Sequence, residues 1–221
     1  MQPIESFTEL LLNGDQTAAW EAITENREAG KNSLFIYERL LGHSMKYIGQ
    51  LWEHNLISVA DEHLASATCD ITLTRYSSQM TKPPKPNAPK AMLLCLEGEE
   101  HYLGLKMVAC YLREEGWDVR FYGPNLPLEF ALIGAMNWKP DMIGISTSIV
   151  YHLPKLAEYV ETFEALHHQP LVMVGGRLVN KYDLRPYCSD KTALIGDLLE
   201  LTYWLPEFYQ KRSAALKKTT G

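Results

Sequence analysis

Cysteine is sparse in this 221-residue chain, and its four copies, Cys69, Cys95, Cys110 and Cys188, lie far apart. Such scatter excludes a zinc knuckle and a Cys-x-x-Cys redox motif. It reads as reduced thiols in a cytoplasmic protein, three of them in apolar surroundings. No apolar run approaches the ~18 residues that suggest a membrane span. Met1-Gln2-Pro3-Ile4-Glu5 lacks the basic-then-apolar order of a signal peptide. Positive charge is in deficit, with 21 Lys and Arg against 27 Asp and Glu, a net charge of -6. That balance argues against a nucleic-acid surface, which is normally basic, and so against direct DNA binding. No Gly-x-Gly-x-x-Gly or Walker loop follows the first strand-like segment, which disfavours nucleotide binding.

What is present is unevenly spread. Thr81 to Lys90 holds Pro83, Pro84, Pro86 and Pro89 and suits neither a helix nor a central strand. It reads as a semi-rigid extended linker. The chain is therefore expected to divide into a helical domain over 1-80, a linker over 81-90 and an α/β domain over 91-221. In the first, Ile4 to Leu12 forms a short helix, and Asp15 caps a second one that runs through Ala29. A third is expected from Leu34 to Glu53, with Leu34, Tyr37, Leu40, Leu41, Met45, Ile48, Leu51 and Trp52 at helical period. Ser58-x-x-Asp61 resembles a capping box for a fourth, reaching about Gln79. Four helices with short turns imply an antiparallel bundle.

Beyond the linker, apolar strands alternate with helices. Strands are expected at 91–96, 119–122, 142–146, 171–174 and 192–195, with helices at 102–115, 128–137, 153–167 and 197–212. That alternation means a parallel sheet with right-handed crossovers. Five strands suit the flavodoxin-like order 2-1-3-4-5, whose switch point lies between the first and third. The basic tail, Lys211-Arg212 and Lys217-Lys218-Thr219-Thr220-Gly221, reads as solvated and frayed.

Three clusters fall at carboxyl ends of these strands, the edge where open α/β sheets bind ligands. Gly98-Glu99-Glu100-His101-Tyr102-Leu103-Gly104 follows the first strand. There His101 can offer a neutral imidazole nitrogen to a metal while its other nitrogen bonds Glu99. Ser146-Thr147-Ser148 follows the third, and Ser146 can hydrogen-bond a buried heteroaromatic nitrogen. Gly175-Gly176 follows the fourth and leaves room for a planar group against the backbone. Gly104 lets a ligand approach the first helix of the sheet.

The set Glu99-x-His101-x-x-Gly104, Ser146-x-Ser148 and Gly175-Gly176 resembles the Asp-x-His-x-x-Gly, Ser-x-Leu and Gly-Gly signature of cobalamin-binding domains. Glu99 replaces Asp and Ser148 replaces Leu. The resemblance implies base-off, His-on binding, with His101 on cobalt and the benzimidazole tail in a slot between sheet and helix. In the helical half, Trp52-x9-Glu62-His63 is similar to the adenosylcobalamin photoreceptors of the CarH/LitR type. That likeness implies Trp52, Glu62 and His63 around the upper corrin face and the adenosyl group. Two departures accompany it: Glu53 follows the Trp where such sensors can carry His, with His54 one place later. The bundle also begins within the first few residues, where those repressors carry a DNA-binding domain.

The resulting expectation is a stand-alone cobalamin-binding light sensor, not an enzyme. It would bind adenosylcobalamin, or methylcobalamin, and change conformation or association when light breaks the cobalt–carbon bond. Its output would pass through a partner protein or self-association. Two other readings stay open: a corrinoid methyl carrier serving a methyltransferase, and a cobalamin storage or delivery protein. Trp52 disfavours the carrier, because its ring would crowd the approach of a methyl acceptor.

Overall fold

The computed structural model describes residues 4–219; the side chains of 211 and 214–219 lie outside that description. The chain divides into two units, 1–81 and 82–221, each with its own packing.

The first unit is helical. It contains α1 (Ile4–Leu12), α2 (Gln16–Glu28), a π-helical stretch (Phe35–Gly42) running directly into α3 (His43–Glu53), and α4 (Val59–Met80). Polar caps set the starts. Asp15 accepts from the Ala18 amide at 2.9 Å to begin α2. Ser58 and Asp61 form the reciprocal capping box expected for α4, at 2.8 Å and 3.2 Å. Phe7, Leu11, Ile23, Ile36, Tyr37, Leu40, Leu41, Ile48, Leu73 and Tyr76 are buried.

The expected uniform helix over 34–53 is thus corrected at its first half. Bonds of the i→i+5 kind widen residues 35–42. Gly42 permits this, because a Cβ there would lie only 3.0 Å from the Tyr37 carbonyl oxygen. The wider turn keeps Ile36, Tyr37, Leu40 and Leu41 buried together ahead of Ser44 and Ile48.

The second unit alternates as the sequence implies: β1 (Lys90–Leu96), α5 (Leu103–Glu114), β2 (Asp118–Leu126), α6 (Leu128–Trp138), β3 (Met142–Ser146), α7 (Leu153–Glu164), β4 (Leu171–Gly175), β5 (Ala193–Ile195) and α8 (Leu198–Thr219). All four pairings are parallel, and the order is β2-β1-β3-β4-β5. Residues 91–96 of β1 and all of β3 are buried, as strands covered on both faces must be. On one face Met92, Leu94, Ile143, Ile145, Val172 and Val174 pack with Ala131 and Ala135 of α6 and with Leu156, Val160 and Phe163 of α7. α6 stops where Lys139 turns left-handed at φ 51°.

The segment expected as a semi-rigid extended linker is bonded within this unit: the Lys85 amide donates to the Gly116 carbonyl at 3.1 Å, and the Asp118 amide to the Pro89 carbonyl at 3.0 Å. Residues 85–89 are therefore fastened to the α/β unit. The basic tail also begins later than expected. The Arg212 Nε donates to Asp141 at 3.0 Å, and its guanidinium reaches the Asn87 carbonyl, so α8 closes over the foot of the sheet. The Lys211, Lys217 and Lys218 side chains, and Thr220 and Gly221 entirely, fall outside the described residues.

Candidate functional site

Strand register brings the three sequence clusters to one level. Cys95 pairs with Ser146, and Ser146 with Gly175, across β1, β3 and β4. The loops that leave these residues therefore emerge side by side at the carboxyl edge, next to the switch point between β1 and β3.

The loop after β1 turns on a buried carboxylate. Glu99 is 0% exposed. Its Oε1 accepts from the His101 backbone amide at 3.0 Å and from the His101 Nδ1 at 2.6 Å. Its Oε2 accepts from the Ser148 backbone amide at 2.6 Å. Burial pushes the Glu99 carboxyl up, but the bonds from His101 and Ser148 outweigh it and hold the group below its ordinary value. An ionised Glu99 places a proton on His101 Nδ1, so that in the neutral imidazole the lone pair is on Nε2. The imidazole is about half exposed. A histidine so oriented is a metal ligand in waiting, its tautomer set by a carboxylate behind it.

The loop is pinned from several sides. Asn125 accepts from the Gly98 amide through its side chain at 2.8 Å and donates its own amide to the Glu99 carbonyl at 3.0 Å. The Tyr159 hydroxyl accepts from the Glu97 amide at 3.2 Å and donates to the Leu126 carbonyl at 2.6 Å. The Cys95 thiol donates to the His101 carbonyl at 3.8 Å. Burial first, and the Glu99 charge second, push that thiol up to about 12, so it stays a neutral donor. Sequence reasoning missed Asn125, Tyr159 and the placement of Cys95. The Asn-x-Pro punctuation at Asn125 was the signal within reach; Tyr159, on a helix far along the chain, offered none.

The other cluster residues sort by what they contribute. Ser148 bonds Glu99 through its backbone amide, so any residue but proline can make that bond, and Ser in the place of Leu loses nothing of it. Ser146 is buried, with its hydroxyl on the Cys95 thiol. The Thr147 hydroxyl is buried with no partner. Gly176 has φ +112°, and a Cβ there would run into the Thr147 carbonyl oxygen. Gly104 is the opposite case: a Cβ there would meet nothing within 4 Å, so open space lies beside the start of α5.

Trp52, Glu62 and His63 lie in the helical unit, described by itself. Trp52, one residue before the end of α3, is 47% exposed. Leu56, in the turn that follows, and Val59, the first residue of α4, are 71% and 56% exposed. Glu62 is half-buried and accepts from the Ser66 hydroxyl at 2.7 Å, while His63 is exposed. His54 caps α3, with its Nδ1 2.7 Å from the Gln50 carbonyl oxygen.

The donor set fits a metal that brings ligands of its own. Among the described residues no group of three or more His, Cys, Asp and Glu could hold a bare ion. One oriented imidazole could instead supply a single ligand to such a metal. No helix among them is long and apolar enough to cross a membrane.

Comparison with known families agrees with that chemistry. Residues 89–187 match the B12 binding domain, and residues 3–75 match a second family also described as a B12 binding domain. Both halves of the chain are thus similar to B12 binding domains. Over 111 residues it is 30% identical to the HTH-type transcriptional repressor CarH of Myxococcus xanthus, covering 50% of this chain and 36% of that one. It is 25% identical over 147 residues to dimethylamine corrinoid protein 1 of Methanosarcina acetivorans, covering 64% and 68%. Among solved structures, the monomethylamine corrinoid protein of Methanosarcina barkeri superposes with a TM-score of 0.74 at 19% identity, over 88% of this chain and 92% of that one. That likeness gives the fold: a helical part followed by a five-stranded parallel sheet. The chain spans about a third of the length of the CarH repressor it matches.

Proposed function

We propose that this chain binds cobalamin base-off, with His101 Nε2 as the lower ligand, and signals the state of the upper ligand without catalysing a reaction. The observation that carries the reading is the pairing of His101 Nδ1 with a fully buried carboxylate 2.6 Å away, which leaves Nε2 as the unengaged ring nitrogen. Ser146, Ser148, Gly175, Gly176 and Gly104 would receive the displaced base at the carboxyl edge. Trp52, Glu62 and His63 would meet the upper face. The exposed Trp52 indole is apolar surface that gains by being covered.

Adenosylcobalamin suits this reading, because it supplies a photolabile cobalt–carbon bond and a bulky group for Trp52 to pack on. Loss of that group would remove a packing partner from Trp52, and the resulting change would pass to a protein partner or to self-association. The partial identity to CarH supports a regulator of this kind.

A methyl-carrier reading has its own support, since the chain aligns with 68% of dimethylamine corrinoid protein 1 but only 36% of CarH. In that role the chain would present the cofactor to a methyltransferase. One experiment separates the two. The protein is loaded with adenosylcobalamin in darkness, and absorbance and size-exclusion profiles are taken before and after green light. A His-on spectrum that changes together with elution volume supports the sensor. Tight binding with unchanged elution, a preference for methylcobalamin and methyl transfer to a thiol support the carrier. Indifference to the upper ligand supports storage or delivery, and absence of binding removes all three.

A further inference from the structure

α6 turns one apolar face to the sheet and leaves another outside. Ala131, Ala135 and Trp138, at i, i+4 and i+7, are buried. On the opposite side Phe130 is 58% exposed, Ile133 54% and Met136 56%. They follow one another at three-residue steps and form one stripe. Tyr122 of β2 widens it: the residue is 37% exposed, and its hydroxyl lies over Gly134, 2.9 Å from where a Cβ would stand. Glu129 is the one charged residue of the helix. The outward face of a surface helix is ordinarily polar, and an apolar one marks a surface that another protein covers.

Charge placement identifies that protein as a second copy of this chain. Glu129 lies in the first turn of α6 and Lys139 follows the last, both exposed and about 15 Å apart along the axis. Two α6 helices set antiparallel about a two-fold axis near Ile133 bring Phe130 of each copy against Met136 of the other, and Glu129 of each beside Lys139 of the other. A sulfur–aromatic contact and an opposite-charge pair then each occur twice. The chain's excess of negative charge falls within residues 1–81, with 11 acidic residues against 5 basic, whereas residues 82–221 hold 16 of each. Two copies can therefore meet through the α/β unit without net repulsion. The area also suffices. Large side chains about half exposed show on the order of 100 Å² each, so the four offer about 400 Å². That is the apolar half of the roughly 800 Å² per partner that a stable interface buries.

We propose that the outer face of α6 is a homodimerisation surface, in which two copies pair antiparallel with Ile133 at the centre and Glu129–Lys139 pairs at both ends. The pairing is independent of the cobalamin reading.

Sedimentation velocity of the full chain without cofactor, run from low to high micromolar protein, reads the state directly. A concentration-dependent dimer is expected. A monomer at every concentration overturns the proposal and leaves the face to a different protein. Ile133→Glu changes an exposed position, so its circular dichroism is expected to match that of the unmodified protein, while the dimer weakens by more than about tenfold. A dimer that survives this change unaltered overturns the proposal. Charge reversal reads the register. Glu129→Lys and Lys139→Glu are each expected to weaken the dimer about tenfold, and the double variant, which returns opposite signs, to recover to within about threefold. A double variant as weak as the singles overturns the antiparallel pairing. The dimer is expected with and without cobalamin, so failure of the cofactor reading leaves it standing.

Discussion

Glu99 Oε1 lies 2.6 Å from His101 Nδ1, and the same oxygen also accepts the His101 backbone amide at 3.0 Å. Side chain and main chain of one residue are thus held by one atom, which leaves the imidazole little freedom except at its outer nitrogen. Glu99→Gln keeps the shape and removes the charge. It is expected to weaken cobalamin affinity by about 10–100-fold, the usual effect of losing a carboxylate behind a ligating histidine. Absorbance titration checks it, and unchanged affinity would show that His101 needs no orienting partner.

His101→Ala tests the ligand itself. Its Nδ1 is a close partner of the buried Glu99 carboxylate, so its loss is expected to cost about 1–3 kcal/mol of stability in a denaturant melt. Any cobalamin still bound should lack the His-on absorbance. A His-on spectrum in this variant would move the lower ligand elsewhere.

Gly176 and Gly104 make a contrasting pair. Gly176→Ala places a Cβ against the Thr147 carbonyl at φ +112° and is expected to lose roughly 1–3 kcal/mol. Gly104→Ala sits in the first turn of α5 with open space around it, and is expected to gain up to about 1 kcal/mol. If that space receives part of the cofactor, the same substitution lowers cobalamin affinity while raising the melting temperature. Denaturant melts and titrations on both variants read the two effects separately.

Acid should act through Glu99. Its folded-state value lies below the ordinary one, so its contribution to stability is complete above the ordinary carboxylate range. That contribution is lost as pH falls through the range toward the folded value. The acid limb of a melting-temperature profile is therefore expected to be shallower in Glu99→Gln than in the unmodified protein. Parallel limbs would mean that other carboxylates carry the acid sensitivity.

Trp52 separates the readings of function. The indole is 47% exposed, so Trp52→Ala is expected to change stability by less than about 1 kcal/mol. Under the sensor reading it should reduce the preference for adenosylcobalamin over methylcobalamin. Competition binding of the two forms measures this, and an unaltered preference argues for the carrier.

Much of this arrangement was legible in the residues. Alternation of apolar strands with helices predicts the sheet and its order, because parallel strands buried on both faces leave an unmistakable pattern. His101 and Glu99 were legible because they fall in the turn after the first such strand. The π-helical stretch at 35–42 was not, since Ile36, Tyr37, Leu40 and Leu41 fit an ordinary helix equally well and only the bond pattern differs. Tyr159 was hidden for another reason. It reaches the loop across many intervening residues, and nothing in its local sequence marks it as a neighbour. Ser148 escaped its reading because its amide, common to every residue but proline, makes the contact.

The fastening of residues 85–89 to the α/β unit bears on how force travels through it. β1 begins where that segment ends, at Lys90, and runs seven residues, roughly 23 Å at ~3.3 Å per residue, to the loop that holds His101. Tether and ligand loop are the two ends of one central rod, stiffened by β2 and β3 on either side. A pull on the linker is shared with its anchors at Gly116 and Asp118 before it loads that rod.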